Sequence, residues 1–470
     1  MSVTSFVGLC VLLWVGHLLR MRIRLLQKLY LPSCVIGGLL GLGILQGFRL
    51  AGSEVPAEWT AGWSDLPGFL INIVFACLFL GVQLPGIRRL WSRAGPQLAY
   101  GQVVAWGQYV VGVGLVLAVL AHVFDVKPVF GGLIPVGFEG GHGTAAGLAK
   151  TFEDLGVAEL KDFALASATA GIISAIVVGM ILVNWAARKG YTVRRRRVEE
   201  IAEDDAIGVI PLGRRPEAGR LTVRSDAIEA FTLHVALVGV AVLLGWLMKQ
   251  GLWQIEHLAN AGLDEAARRN SSLYILIKSF PLFPLCMLGG LIVQACEDRF
   301  DKRKLLDPGL TRRIQNTALD FLVVAAIATI RVETLQAKLV PFLILVAAGI
   351  GWNVFCVVVL ARRMLPDAWF ERSIAEMGQS MGVTATGLLL LRVVDPEYES
   401  PAADAFACKQ VLHEPFMGGG LWTSTAIPLL VLWGGWGVFG VACGAVAFWL
   451  AVVFVLRPWR RGKAGDFGGT

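Results

Sequence analysis

Phe138-Glu-Gly-Gly-His-Gly-Thr-Ala-Ala-Gly147 decides how this chain is read. Four glycines in ten residues, set around a glutamate and a histidine, do not make a lipid-facing helix. Each interior glycine costs a helix about 1 kcal/mol, and polar side chains are expensive in hydrocarbon. Yet the chain around it is built for hydrocarbon: its 470 residues are 56% hydrophobic and 16% charged, with a mean hydropathy of +0.65. A soluble domain is about 25% charged. Irregular backbone at membrane depth is tolerated only against protein or a water-filled cavity. The stretch therefore reads as a broken, protein-enclosed element of an all-α polytopic membrane protein. A second one follows at Glu376-Met-Gly-Gln-Ser-Met-Gly-Val-Thr-Ala-Thr-Gly387.

A crossing helix needs about 20 mostly apolar residues. Apolar runs near 3–19, 30–48, 66–84, 98–122, 163–187, 228–249, 271–296, 315–335, 338–361, 405–430 and 435–456 predict about eleven crossings, with 128–150 and 373–393 too polar and broken to count. No basic residue precedes the first run, and Arg20, Arg22, Arg24 and Lys28 follow it, so it inserts uncleaved with the N-terminus outside. Alternation then places Arg88, Arg89, Arg93, the run Arg188–Arg224, Arg299, Lys302, Arg303, Lys304, Arg312, Arg313, Arg362, Arg363 and the tail from Arg457 to Lys463 inside. Only scattered charges such as Arg49, Lys127, Lys161 and Arg268 fall outside. One orientation satisfies the positive-inside rule throughout, with the C-terminus cytoplasmic. The net charge of +7 is spent on this asymmetry, which excludes nucleic-acid binding as the main business. Residues 188–227 form a basic cytoplasmic linker; a regulatory or lipid-headgroup site is the competing reading. The eight cysteines fall in or beside apolar runs without a CxxC or Cys/His spacing, so neither a disulfide framework nor a metal site is expected.

The chain repeats itself. Leu31-Pro-Ser-Cys-Val-Ile-Gly-Gly-Leu-Leu40 matches Phe283-Pro-Leu-Cys-Met-Leu-Gly-Gly-Leu-Ile292, with Pro32 and Pro284 separated by 252 positions. Gly143-Thr-Ala-Ala-Gly147 matches Val383-Thr-Ala-Thr-Gly387, with Thr144 and Thr384 separated by 240. Two halves, 1–187 and 228–434, each have five crossings and a hairpin (about 128–150 and 373–393), and 435–470 adds a helix and a basic tail. An odd number of crossings turns the second half upside down, and inverted repeats with broken elements near the midplane are the architecture of secondary transporters. N–H groups freed at half-helix starts suit a substrate carboxylate, and freed carbonyls and hydroxyls suit Na⁺. The alternative is that the glycines only let helices pack tightly.

On LPSCVIGGLLGL (31–42), GGHGTAAG (140–147), NTALDFLVV (316–324) and MGQSMGVTATG (377–387), the sequence resembles the bacterial sodium/glutamate symporters over most of its length, to about residue 430. The resemblance implies two re-entrant hairpins entering from opposite faces, a homodimer, and Na⁺-driven glutamate uptake by alternating access, with no cofactor besides the coupling ion. Gly140, Gly141, His142, Gly143 and Thr144 match the first hairpin, and Gly378, Gly382, Thr384 and Thr386 the second. The chain departs from the family at Glu139, Glu376, Gln379, Ser380 and Ala385. Two extra carboxylates beside an anionic substrate repel it unless they are paired, protonated or holding cations. Glu139, Gln379 and Ser380 thus join the substrate-site candidates, and Glu376 the cation-site candidates.

Other intramembrane polar residues carry two readings each. Asp320, with Asn316 and Thr317, is a Na⁺ ligand or a helix-start carboxylate. Gln83, after Gly81 at a possible break, is a site or a packing residue. His413-Glu414-Pro415 is a self-satisfied pair at a proline kink or a coupling group, with Glu414 a cation candidate. Arg331 and Glu333 form an interfacial pair, or Arg331 meets a substrate carboxylate. His17, His122, His234 and His257 sit near span ends or alone and are not ligands. Energetics favour more than one Na⁺ per anionic substrate. The rival transport reading is a cation/proton antiporter using Glu139, Glu376 or Glu414. An intramembrane enzyme with His142 and Glu139 as base and partner lacks a nucleophile motif, a metal set and any reason for a duplicated hairpin.

Overall fold

A computed structural model describes residues 2–53, 55–82, 87–192, 209–210, 212–395 and 399–463. Gln83 and part of the basic linker (193–208 and 211) lie outside the described residues. Among the described residues every regular element is helical. Among the described residues seven helices are long and apolar enough to cross a membrane, or eight counting Ser272–Ser279 with Phe283–Phe300, which meet at a 68° bend.

That is fewer than the eleven runs, for local reasons. Leu66–Ala76 stops after eleven residues. Pro308–Ala328 is long enough, but Arg312, Arg313 and Asp320 lower its hydropathy. The run 405–430 is two helices, Ala402–His413 and Leu421–Leu432. Pro415 offers no N–H to continue the first, and Gly418 and Gly419 turn the chain through φ +64° and +102°.

The chain forms two compact units. The first comprises residues 1–84, 142–166 and 202–335. In it Val3–Arg22 packs on Ser33–Leu50, which packs on Pro308–Ala328, while Phe283–Phe300 lies between Leu66–Ala76 and Ala230–Ala259. The repeated Gly-Gly of the two matched motifs does the same work twice. A Cβ on Gly37 would stand 2.5 Å from Leu12 O, and one on Gly289 would strike Ala241 O. Both motifs thus let a neighbouring backbone approach to near contact, as small residues do between membrane helices.

The second unit comprises 85–141, 167–201 and 336–470. Ile87–Leu115 runs through a π turn at Val116–Leu120 into Ala121–Phe124. Leu339–Phe355 runs through a π turn at Cys356–Leu360 into Ala361–Met364. The two turns are 240 positions apart, the offset that separates Thr144 from Thr384. π turns make up well under 1% of residues, so their recurrence in register is hard to ascribe to chance. Around these helices pack Ala402–His413 and Gly434–Lys463, with Tyr100, Val103, Val104, Cys356, Met364 and Val453 in one apolar cluster.

Candidate functional site

Both broken elements pass through the second unit. The first begins as a 3-10 turn, Pro128–Gly132, and a short helix, Leu133–Gly137. It is interrupted at 138–140 and restarts at Gly141, whose φ of +64° a β-carbon would strain. The second is Trp369–Met381, a break at Gly382–Val383, and Thr384–Val394. Gly378 and Gly387 let its arms cross: a Cβ on Gly378 would lie 2.7 Å from Gly387 Cα. For these two glycines, tight packing explains the residue type. The breaks themselves touch, since a Cβ on Gly141 would meet Val383 Cγ1 at 3.3 Å and Gly382 O at 3.4 Å. Every residue from Phe370 to Met381 is buried, four of them charged or amide side chains. This arm is therefore enclosed by protein, the only setting in which its composition is tolerable.

Helical spacing puts Glu376, Gln379 and Ser380 on one face at i, i+3 and i+4, and Lys409, Gln410, His413 and Glu414 together on Ala402–His413 and its end. A continuous buried network joins them to Glu139. Gln379 Nε2 donates to Glu139 Oε1 at 2.8 Å, and His413 Nε2 reaches the same oxygen at 2.6 Å. Lys409 Nζ lies 2.6 Å from Glu376 Oε1, 2.9 Å from Gln410 Oε1 and 3.1 Å from Gln379 Oε1. Gln97 donates to Glu376 Oε2 at 2.9 Å. Gln410 Nε2 donates to Thr384 Oγ1 at 2.7 Å and Glu414 Oε1 at 3.1 Å, while Thr384 donates to Glu414 at 3.0 Å. Ser380 donates to Asn353 and accepts from Gln108.

Donor and acceptor roles in this network are over-determined. Trp106 Nε1 only donates, and it reaches Gln102 Oε1 at 2.9 Å, so Gln102 turns its amide nitrogen to His413 Nδ1 at 3.1 Å. His413 is thereby held as the neutral imidazole with its proton on Nε2, facing Glu139. Three carboxylates (Glu139, Glu376 and Glu414) then share one ammonium, Lys409, and at full ionisation the cluster carries excess negative charge. Glu139 Oε2 is buried without a hydrogen-bond partner among the described residues. A cation offsets both deficits; an unpaired anion does neither.

Of the sequence candidates, the second unit brings together Glu139, Glu376, Gln379, Ser380, Thr384 and Glu414 around the touching breaks, with Gly140, Gly141, Gly378, Gly382 and Thr386 as backbone or flanking positions. His142, Gly143 and Thr144 belong to the first unit, where a Cβ on Gly143 would meet Ile71 Cδ1 at 3.0 Å. Asn316, Thr317 and Asp320 also lie there and are exposed. Three expectations are corrected. Asp320 does not start a helix: Pro308–Ala328 is capped by Asp307, which accepts from Leu310 N, and Asp320 lies about three turns in. Arg331 pairs with Asp162 at 3.1 Å, while Glu333 takes Gln46 and Arg49. His413 and Glu414 do not satisfy each other; each bonds outward to a broken element.

Sequence reasoning missed Lys409, Gln410, Gln97 and Gln102. A lysine inside the apolar run 405–430 was the available signal, because an intramembrane charge is a functional candidate by default. A family model for sodium/glutamate symporters matches residues 1–259. Neither the curated proteins nor the solved structures contain a match.

Proposed function

The chain belongs to the sodium/glutamate symporter family, an integral membrane and Na⁺-coupled class of transporter, and from that premise we propose that it carries glutamate or a related acidic amino acid or carboxylate inward with Na⁺ by alternating access. The observation that carries this reading is the meeting of two broken elements, at Gly141 and Gly382–Val383, beside a buried carboxylate-rich network. Glu139 bonds to Gln379, and the two positions differ by the repeat offset of 240. A contact between equivalent positions is what a pseudo-two-fold axis through the site produces, which supports the inverted-repeat reading. The extra carboxylates are compatible with an anionic substrate because Glu376 pairs with Lys409 and a bound cation would offset the charge of Glu139, whose Oε1 already accepts from Gln379 and the neutral His413.

We read Na⁺ as held among the carboxylates and hydroxyls, the substrate near the two breaks, the chain as a homodimer, and the N-terminus as outside. The test is uptake of labelled L-glutamate into vesicles of the purified chain. A Na⁺ gradient should drive accumulation. Equal entry of glutamate, aspartate and related carboxylates with K⁺ or choline outside would sink the coupling. The titratable cluster also favours a second reading, cation/proton antiport, which would appear as Na⁺-dependent pH changes in vesicles without organic substrate.

A further inference from the structure

Lys409 has no solvent exposure, and its ammonium sits in a cradle of three oxygens, from Glu376, Gln379 and Gln410 at 2.6, 3.1 and 2.9 Å. Both amides are oriented by other bonds. Gln379 spends its nitrogen on Glu139, and Gln410 spends its own on Thr384 and Glu414, so each turns a carbonyl oxygen to Lys409. One carboxylate and two amide carbonyls form a donor set of the kind that hard cations take. Gly101 closes the other side, where a Cβ would lie 2.5 Å from both Glu376 Oε1 and Lys409 Cε.

We propose that the Lys409 ammonium is a tethered cation, filling an oxygen site that would otherwise hold one free monovalent ion. A lysine kept only to neutralise Glu376 needs one partner; this one has three, converging on the nitrogen. The inference rests on the symport reading only for its consequence, that the carrier takes up one Na⁺ fewer than it would with the site open.

The test is thermal unfolding of purified full-length protein without glutamate, in choline buffer titrated with Na⁺, K⁺, ammonium or methylammonium, with N-methylglucamine as a cation too large for the site. Lys409→Ala should unfold at lower temperature than the native protein in choline and recover saturably with at least one small cation. Lys409→Met combined with Glu376→Gln, which removes both charges, should show no such response. A K409A protein indifferent to every salt, or stabilised equally by N-methylglucamine, overturns the proposal. So does failure to recover K409A in any of these salts, with or without a folded double variant, since the stem and not the charge would then be what matters. In a second arm, the Na⁺ dependence of L-glutamate binding should steepen by one ion in K409A. If native protein binds no glutamate, the symport reading fails while the salt titration still decides the site.

Discussion

Glu139 concentrates the logic of the site in one side chain. One oxygen accepts from both Gln379 and His413, and the other accepts nothing among the described residues. Glu139→Gln replaces a charged acceptor with a neutral one and should cost about 1.5–3 kcal/mol. Chemical unfolding in detergent measures that loss, and uptake by the variant should fall at least tenfold if Oε2 faces a cation. Unchanged uptake would assign the residue to packing alone. Gly101 gives a steric prediction. Gly101→Ala forces a methyl group against Glu376 and Lys409 and should destabilise by about 1–3 kcal/mol. Gly440→Ala, on an exposed helix position with nothing within 4 Å, should be neutral or stabilising by up to about 1 kcal/mol. Glu139, Gln379 and Thr384 were legible in the sequence because each stands among glycines that no lipid-facing helix would keep. Lys409 carried a signal only as a charge inside an apolar run, and Gln97 and Gln102 carried none, because a lone amide at the edge of or within an apolar run has no periodicity to betray it. Their partners lie across the fold: Gln97 bonds to Glu376, 279 positions away, and Gln102 to His413, 311 away.

At the scale of elements, the second broken element is a pair of arms locked at one crossing. Ala375, Gly378 and Gly387 leave no room between backbones, so Gly387→Ala drives a Cβ into Ala375 O with nothing flexible to yield. That should cost more than the roughly 1–3 kcal/mol of ordinary overpacking, and the apparent melting temperature should fall accordingly. Gly382 has no equivalent crowding from backbone nearer than 3.0 Å, and its break depends on φ −140° with ψ −109°. Broken elements at 128–150 and 373–393 could be read from glycine density alone. The break after His413 could not, although Pro415 and Gly418–Gly420 mark it, because residues on both sides are apolar enough to pass as one crossing. Hydropathy counts transfer energy and is blind to dihedral angles. The same blindness hid the true start of Pro308–Ala328, whose first turns are polar while its cap, Asp307, stands well upstream of the apolar run.

For the whole molecule, each sequence half supplies helices to both compact units, so duplicate segments can lie in one unit without being neighbours in the chain. The motif pair in the first unit keeps an offset of 252 and the π turns of the second unit one of 240. The sequence exposed both offsets but not the division into units, which is a matter of long-range contact: the offset of 240 also relates Thr144 of the first unit to Thr384 of the second. This arrangement bears on ion accounting. A free Na⁺ released inside has moved its charge across the membrane, and the cycle keeps it there. The Lys409 charge returns with the empty carrier and contributes nothing per turnover. Opening its site to a free cation should therefore add one net positive charge to each inward cycle. One elementary charge is worth about 2.3 kcal/mol at 100 mV, or about 50-fold in the limiting accumulation ratio. In vesicles clamped by K⁺ diffusion potentials at equal Na⁺ gradients, glutamate accumulation by Lys409→Ala should rise with inside-negative voltage more steeply than that of the native protein, approaching this factor per 100 mV. Equal voltage slopes in the two proteins, with both still Na⁺-dependent, would show that no free ion has taken the place of the ammonium.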